Sequence, residues 1–416
     1  LRATRVDLNE GLKDGLRTVA GGARHGRIRA VLVVGEVALT ATLLAGSGLM
    51  IRSFQRLMEV DAGFNANGVL TMQVDLPDSR YPIEQKAAAF FDDILKRIAA
   101  IPGVLSAGAT SQLPLRPGIN GLIQIEGRPQ PETAFSTPLV QPTFVTLDYF
   151  KTMSIPVRAG RNFSKADGAT SKEVVIINEA LARQFWPGEN PIGKRLSWSQ
   201  AKPDWREVAG IVADTHEQEI AKPPMPEVFF PYAQASGSSM TIVVRSRIDA
   251  AAVANEVREQ LAKVDPELPL YEIREMKNIL SASTAVTRFQ ALLMGLLGAL
   301  ALALAGAGIY SVISYGVSQR TQEIGIRKSL GASRADLLKL IVGNGMLLVL
   351  VGAVIGLGAS LALSRLMSGL LFGVSPRDPL TFVVLIAAVA VVGLLACLIP
   401  ALRAMRIEPV AALRYE

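Results

Sequence analysis

The stretch SQRTQEIGIRKSLGASRADLLKLIV (318–342) is a polar connector between two very apolar segments of the chain. Those segments are residues 289–317 and 340–363, and two further apolar runs lie at 30–51 and 380–402. Each run reaches the roughly 20 residues that a helix needs to cross a bilayer. The sequence therefore predicts four transmembrane helices.

The composition agrees with a membrane protein and indicates its orientation. Half of the 416 residues are hydrophobic and only 19% are charged. Lys and Arg are concentrated before the first span, in the connector and in the tail, whereas the loop after the third span has only Arg365 and Arg377. By the positive-inside rule, we expect both termini to lie in the cytoplasm. The net charge of +7 then reflects topology, and no nucleic-acid binding is expected.

The long polar segment between the first two spans has two similar ends. GVLTMQVDLP (68–77) alternates like a strand, and residues 82–101 after it have helical spacing. Near the far end, SMTIVVRSR (239–247) is strand-like and precedes a predicted helix with Asp249 as its N-cap. Each helix leads into another strand, and two such β-α-β units suggest a split ferredoxin-like sandwich.

The predicted fold class is thus an α+β membrane protein. It has four transmembrane helices and a large extracytoplasmic α/β domain of ferredoxin-like βαβ type, interrupted by a β-rich subdomain. The predicted boundaries are a cytoplasmic segment 1–29, a first span 30–52, an extracytoplasmic domain 53–288 (porter-like 66–115 and 237–280, β-rich insertion 116–236), a three-span domain 289–402 and a tail 403–416.

Few residues suggest chemistry. GENPIGKR (188–195) has the spacing of a phosphate-binding loop, but Arg195 stands where Ser or Thr would hold magnesium, so we interpret it as a turn. His25 and His216 are predicted on opposite sides of the membrane, and the single Cys397 lies within the last span. We therefore expect a non-catalytic chain with no metal site and no cofactor of its own.

Three residues within the spans attract attention. Glu36 is an ionisable group in the first span; we favour a place near the cytoplasmic end, facing other helices or water, over a role in proton coupling. Gly352 and Gly356 have the spacing of close helix contacts. Such contacts serve either packing within the chain or dimerisation, and the sequence does not choose between them.

The connector has the pattern of a stiff, charged element. Glu323 follows Arg320 by three positions and precedes Arg327 by four, so ion pairs along one helical face are expected. Ile324 and Leu330 offer apolar contacts.

The second half of the connector predicts a sharp break and a new helix. Gly331 is a typical helix stop, and Ser333 with Asp336 forms a capping-box pattern. The residues alone leave open whether the connector transfers force from a cytoplasmic partner or merely joins two spans.

The motif R-x-x-E-I-G-I-R-K-S-L-G-A (320–332) resembles the connector signature of FtsX-like permeases, a group that includes the macrolide exporter MacB and lipoprotein-release permeases. The order of one span, a large domain and three spans is similar to that family along the whole chain. The resemblance implies an ABC-transporter permease subunit that couples a separate ATPase to extracytoplasmic change, in efflux, lipoprotein release or mechanotransmission. It assigns the ATPase-facing role to Arg320, Glu323, Ile324, Gly325, Ile326, Arg327, Lys328, Leu330, Gly331 and Ala332.

The resemblance also implies a location in the bacterial inner membrane and a set of partners. They are a cytoplasmic ABC ATPase subunit that binds the ATP, a second permease copy, a periplasmic partner and membrane lipid. LRATRVD (1–7) is similar to LRAMRIE (402–408), which suggests the C-terminal half of a duplicated, acidobacterial-type permease whose preceding half replaces the second copy. The departure is Leu8, where Pro409 stands in the tail. The alternative function is a membrane-anchored sensor or scaffold without an ATPase.

Overall fold

The protein is represented by a computed structural model that describes residues 8–81, 84–128, 139–198, 203–235, 237–320, 323, 326–327, 333–366, 371–375 and 378–405. The chain divides into two compact units. The membrane unit comprises Leu1–Glu59 and Thr287–Glu416, and the sheet domain comprises Val60–Val286.

Nine helices lie within the described residues. They are α1 (Leu8–Met58), α2 (Glu84–Ala99), α3 (Tyr149–Met153), α4 (Glu179–Phe185), α5 (Ala250–Val264), α6 (Met276–Ser283), α7 (Ala285–Gln319), α8 (Arg334–Leu366) and α9 (Pro379–Ala404).

Four of these helices are long and apolar enough to cross a membrane, which confirms the predicted spans. The apolar segments are Arg27–Met58, Ala285–Gln319, Arg334–Leu363 and Pro379–Ala404. They form helices because a helix satisfies every backbone N–H and C=O within itself, which hydrocarbon demands. The protein is therefore a multi-pass membrane protein.

Small side chains line the centre of the membrane unit. Helix α8 packs against α1 and α9. Val37, Ala41 and Ala45 of α1 are buried with Val349 of α8 and Val389 of α9 in one apolar cluster. Short side chains let the helix backbones approach closely, which favours association inside a bilayer.

Eleven strands lie within the described part of the sheet domain. They are β1 (Val69–Asp75), β2 (Val104–Thr110), β3 (Gln124–Ile125), β4 (Gln141–Val145), β5 (Val157–Gly160), β6 (Val174–Asn178), β7 (Arg195–Ser197), β8 (Arg206–Val212), β9 (Glu227–Pro231), β10 (Ser239–Ser246) and β11 (Tyr271–Glu275).

Both predicted β-α-β units are present and form one layer. Strands β11, β1, β10 and β2 are neighbours in that order, and all three pairs are antiparallel. Counted along the chain, these are strands four, one, three and two of a ferredoxin-like sandwich. Helices α2 and α5 cover it with buried side chains such as Phe91, Ile94 and Val257. The predicted N-cap is confirmed, since Asp249 accepts a hydrogen bond from the Ala251 amide.

The β-rich insertion extends the same sheet. Beyond β2 the order is β4, β9, β6, β8, β7 and β3, while β5 pairs with β8. The joint is narrow, because β2 and β4 share the single partner pair Thr110 and Val145. A second core around Leu181, Trp186 and Phe230 supports this half. The insertion is thus continuous with the sandwich through hydrogen bonds, while it keeps an apolar core of its own.

Candidate functional site

The connector begins where α7 ends. Arg320, Glu323, Ile326 and Arg327 are within the described residues, and the last three are helical and exposed. The other predicted coupling residues lie outside the described residues: Ile324, Gly325, Lys328, Leu330, Gly331 and Ala332.

One predicted ion pair of the connector is confirmed. Nη2 of Arg327 lies 2.7 Å from Oε1 of Glu323, four residues earlier, and each side chain is 48% exposed. Exposed pairs at this spacing stabilise a helix by only about 0.3–0.5 kcal/mol, so folding does not require this one. The pair presents one negative and one positive group in a fixed order at the surface.

The capping box at the start of α8 is also confirmed. Oγ of Ser333 accepts a hydrogen bond from the Asp336 amide at 3.2 Å, and the Asp336 carboxylate accepts one from the Ser333 amide at 3.2 Å. Leu337, one residue later, is 3% exposed. Reciprocal capping and this buried anchor fix where the third span begins.

A cavity lies behind the connector in the membrane unit. Its volume is about 630 Å³, and its lining comes from the start of the apolar segment of α1, the end of α7, Glu323, Arg327 and the first turns of α8. Arg29 lies over the ring of Tyr315, with the guanidinium carbon 3.8 Å from the ring centroid. This cavity could not be predicted from the sequence, because its walls come from segments far apart in the chain.

Gly352 and Gly356 face α1. A Cβ atom on Gly352 would lie 2.7 Å from Cβ of Val37, and one on Gly356 would lie 2.5 Å from the carbonyl oxygen of Ala38. These distances are shorter than van der Waals contact, so only glycine permits this approach of the two helices. The structure thus uses both glycines for packing within the chain.

Glu36 faces the bundle. Its carboxylate lies against Gly308 of α7, where an added Cβ would be 2.1 Å from Oε2. The side chain is half-buried, so of the expected positions the structure shows the one that faces another helix.

At the other end of the bundle, polar groups join α1 to the start of α9. Arg52 forms an ion pair with Asp378, and the Asp378 carboxylate caps α9 by accepting from the Thr381 amide at 3.0 Å. Oγ of Ser53 accepts a hydrogen bond from the Phe372 amide at 2.8 Å. The first and last spans are thereby tied at this end.

In the sheet domain, the segment GENPIGKR is a turn between α4 and β7, as predicted. The Gly193 amide donates to the carbonyl of Val208 at 3.0 Å, and the Lys194 amide donates to the carbonyl of Pro191. The Lys194 ammonium pairs with Glu189. Two amides and the cation that a phosphate would need are therefore already engaged.

A buried acid pair, Glu217 and Glu227, is a feature that the sequence analysis missed. They are 2% and 4% exposed. Oγ1 of Thr215 lies 3.2 Å from a Glu217 oxygen and 3.5 Å from a Glu227 oxygen. Thr143 donates a further hydrogen bond to Glu227.

The surroundings of the acid pair favour its protonated form. Burial raises the pKa of Glu217, and burial together with the charge of Glu217 raises that of Glu227 well above its ordinary value. Tyr149 is also buried beside the pair. Nδ1 of the neighbouring His216 is 2.8 Å from the carbonyl oxygen of Lys222. Enclosure of the two carboxyl groups thus favours the protonated form of the pair.

The structure offers no metal-binding cluster among its described residues, since no three His, Cys, Asp or Glu side chains are placed to share an ion. The side chain of His25 lies outside the described residues. Residues 1–7 and 406–408, on which the terminal similarity depends, also lie outside them.

Comparison with known proteins identifies the family. A model of the MacB-like periplasmic core domain matches residues 30–260, which is more than half of the chain. A model of the FtsX-like permease C-terminal domain matches residues 295–409. The chain belongs to the FtsX/MacB-like ABC transporter permease family.

Two curated relatives are similar to this permease over different shares of the two chains. The chain is 26% identical over 290 residues to "Uncharacterized ABC transporter permease YvrN" of Bacillus subtilis (strain 168), covering 65% of this chain and 68% of that protein. It is 25% identical over 422 residues to "Macrolide export ATP-binding/permease protein MacB" of Azoarcus sp. (strain BH72), covering 99% of this chain. The permease spans 60% of that relative's length.

One solved structure similar to this permease is the periplasmic region of MacB from Actinobacillus actinomycetemcomitans. The match has a TM-score of 0.37 and 16% identity, and it covers 55% of this chain and 97% of that one.

Proposed function

We propose that the chain is a permease subunit or half-subunit of an ABC transporter, and that its connector receives a conformational signal from an ATPase on a separate chain. The observation that carries the proposal is the Glu323–Arg327 pair, held on a helical turn between the second and third spans. A paired, oppositely charged surface of this kind can match a partner's charges in only one orientation, which gives specificity more than affinity.

The membrane unit supports transmission of that signal. The capped start of α8 follows the connector, and α8 lies in backbone contact with α1 through Gly352 and Gly356. Helix α1 ends at Met58, and the chain then enters the sheet domain at Val60. A displacement of the connector would move α8, and close packing would pass it to α1, because packed interfaces shift as units.

The proposed partners follow from this arrangement. ATP would be bound by the cytoplasmic ATPase subunit, and the permease itself would hold no cofactor and perform no catalysis. A second permease copy, or the preceding half of a duplicated chain, would complete the assembly, and the sheet domain would act on a periplasmic partner or cargo. The positive-inside pattern supports cytoplasmic termini.

The test is an affinity pull-down of the full-length natural protein from solubilised membranes, with mass spectrometry and an ATPase assay of what is recovered. Glu323→Arg and Arg327→Glu each break the ion pair, whereas the double variant restores the pair with reversed polarity. We expect all three variants to lose the bound ATPase subunit and the stimulation of its ATPase activity. The reason is that the partner recognises which of the two positions is negative and which is positive.

The sheet domain offers a matched control. Asp93 and Arg97 form an exposed pair at the same spacing, with Nε of Arg97 2.9 Å from the Asp93 carboxylate. Reversing that pair should leave ATPase recovery unchanged. Full stimulation in the double Glu323/Arg327 variant would overturn the coupling role. Recovery of periplasmic partners without any ATPase, even after cross-linking, would favour the sensor or scaffold.

A further inference from the structure

The cavity behind the connector combines two kinds of wall. Deeper in the bundle it is apolar, with Val312, Ile313, Ile341 and Leu348 among its lining residues. Its volume of about 630 Å³ is in the range of pockets that hold small molecules. Asn344 adds one amide to the apolar part. An apolar recess of this size suits a ligand with a hydrocarbon chain.

The rest of the lining is strongly basic. Among the described residues, four arginines line the cavity, and Glu323 is the single acidic side chain there. Glu323 is paired with Arg327, which leaves the charges of Arg27, Arg29 and Arg320 without a carboxylate in the described part of the lining. The excess positive charge favours an anion, and arginine's fork of N–H donors matches phosphate geometry.

The position of the cavity along the helices indicates which kind of anion would bind there. The apolar segment of α1 starts at Arg27, that of α8 starts at Arg334, and that of α7 ends at Gln319. The cavity lies where these three ends meet, at the level of lipid headgroups. Two of its lining residues, Leu340 and Tyr315, are 39% and 45% exposed on the flank of the bundle.

We propose that this cavity binds one anionic phospholipid. Arg27, Arg29 and Arg320 hold the phosphate, and an acyl chain lies along the apolar wall of α7 and α8. A soluble anion would leave that wall exposed to water, whereas a lipid covers it, and burying apolar area is favourable. The proposal goes beyond the coupling function and does not depend on an ATPase.

The experiment uses the full chain reconstituted without an ATPase in phosphatidylcholine bilayers. Trace amounts of phosphatidylglycerol or phosphatidylcholine, each spin-labelled on an acyl chain, are added, and electron paramagnetic resonance gives the immobilised fraction. We expect the protein to select phosphatidylglycerol. Arg27→Gln with Arg29→Gln should lower that selectivity by roughly tenfold, because two charges near the headgroup are removed.

The charge control removes two cations from the same end of the bundle. Arg334 and Lys339 are exposed on α8 and are not among the residues that line the cavity. Arg334→Gln with Lys339→Gln should leave the selectivity at the wild-type level. An equal loss in both double variants would indicate general surface attraction and would overturn the site.

A second pair of variants tests the cavity without changing charge. Gly316 lines the cavity, and a Cβ there meets no atom within 4 Å, so Gly316→Leu should fill the space and abolish immobilised phosphatidylglycerol. Gly343 is equally unobstructed but lies outside the lining, so Gly343→Leu is the matched control. Both changes favour the helix, so loss of folding is not expected.

Two further results would contradict the proposal. The first is unchanged selectivity in both Arg27→Gln/Arg29→Gln and Gly316→Leu. The second is complete displacement of the labelled lipid by excess glycerol phosphate, which would show that the site recognises a soluble anion and needs no acyl chain.

Discussion

The membrane unit and the sheet domain are each stabilised from within, and they use opposite kinds of side chain. In the bundle, Gly352 and Gly356 let α8 touch the backbone of α1. In the sheet domain, large side chains such as Phe91 and Ile94 fill the space between helices and sheet. The difference follows from the solvent. In water, burial of large apolar surface stabilises a fold, whereas in lipid close packing and hydrogen bonding between helices do so.

The largest expected effect is on the stability of the sheet domain, through a substitution in its core. Phe91 is fully buried, so Phe91→Ala should lower the free energy of unfolding by about 3–5 kcal/mol through lost burial and a cavity. All three tryptophans, Trp186, Trp198 and Trp205, lie in this domain, so denaturant titration followed by tryptophan fluorescence reports on it alone.

The matched control is a phenylalanine of the membrane unit. Phe289 on α7 is 66% exposed. In reconstituted bilayers, Phe289→Ala should change stability by less than about 1 kcal/mol, because lipid already contacts the ring. A loss as large as that of Phe91→Ala would mean that another protein surface, such as a second copy, covers this face.

An intermediate effect is expected where α8 meets α1. Gly356→Leu would place a side chain 2.5 Å from the Ala38 carbonyl oxygen and should cost about 1–3 kcal/mol by forcing the helices apart. Cys397, the single cysteine, is buried against α8. Its labelling by a maleimide should therefore begin at lower SDS concentration in the variant.

Gly358 on the same helix provides the comparison, because an added Cβ there meets nothing within 4 Å. Gly358→Leu should leave the SDS midpoint at the wild-type value. If Gly356→Leu also left it unchanged, close contact between α1 and α8 would not be what holds the bundle.

The smallest effect concerns the acid pair of the sheet domain and depends on pH. Because the folded pKa values of Glu217 and Glu227 are raised, the folded state binds more protons than the unfolded state above pH 4.5. The contribution of this pair to stability should therefore be largest at low pH and be lost as pH rises through the folded pKa values. Glu227→Gln should reduce this slope by up to about 1.4 kcal/mol per pH unit.

The slope is measured from denaturation midpoints followed by tryptophan fluorescence between about pH 5 and about pH 8. Glu256→Gln, on the exposed side of α5, is the control and should leave the slope unchanged. A slope in Glu227→Gln equal to that of the wild type would show that the acid pair does not hold an extra proton in the folded state.

Local features of this protein could be predicted from the sequence, whereas features that depend on distant segments could not. The spans, the Asp249 cap and the Ser333–Asp336 capping box were predicted because each depends on neighbouring residues. Strands β4, β5 and β7 of the predicted β-rich insertion were not located from the sequence, since they are short and gain their stability from partners distant in the chain. The acid pair was missed because nine residues, including a turn, lie between Glu217 and Glu227.

By itself, the sequence determined the four spans, the two β-α-β units, the connector with its paired charges and the family. These follow from periodicity, caps and motifs, which are properties of adjacent residues. Only the tertiary structure decided that the insertion continues the sandwich's sheet, that Gly352 and Gly356 face α1, and that arginines of α1 and of the connector share a cavity. Those features depend on which distant segments pack together, and that choice is made by the free energy of the whole fold.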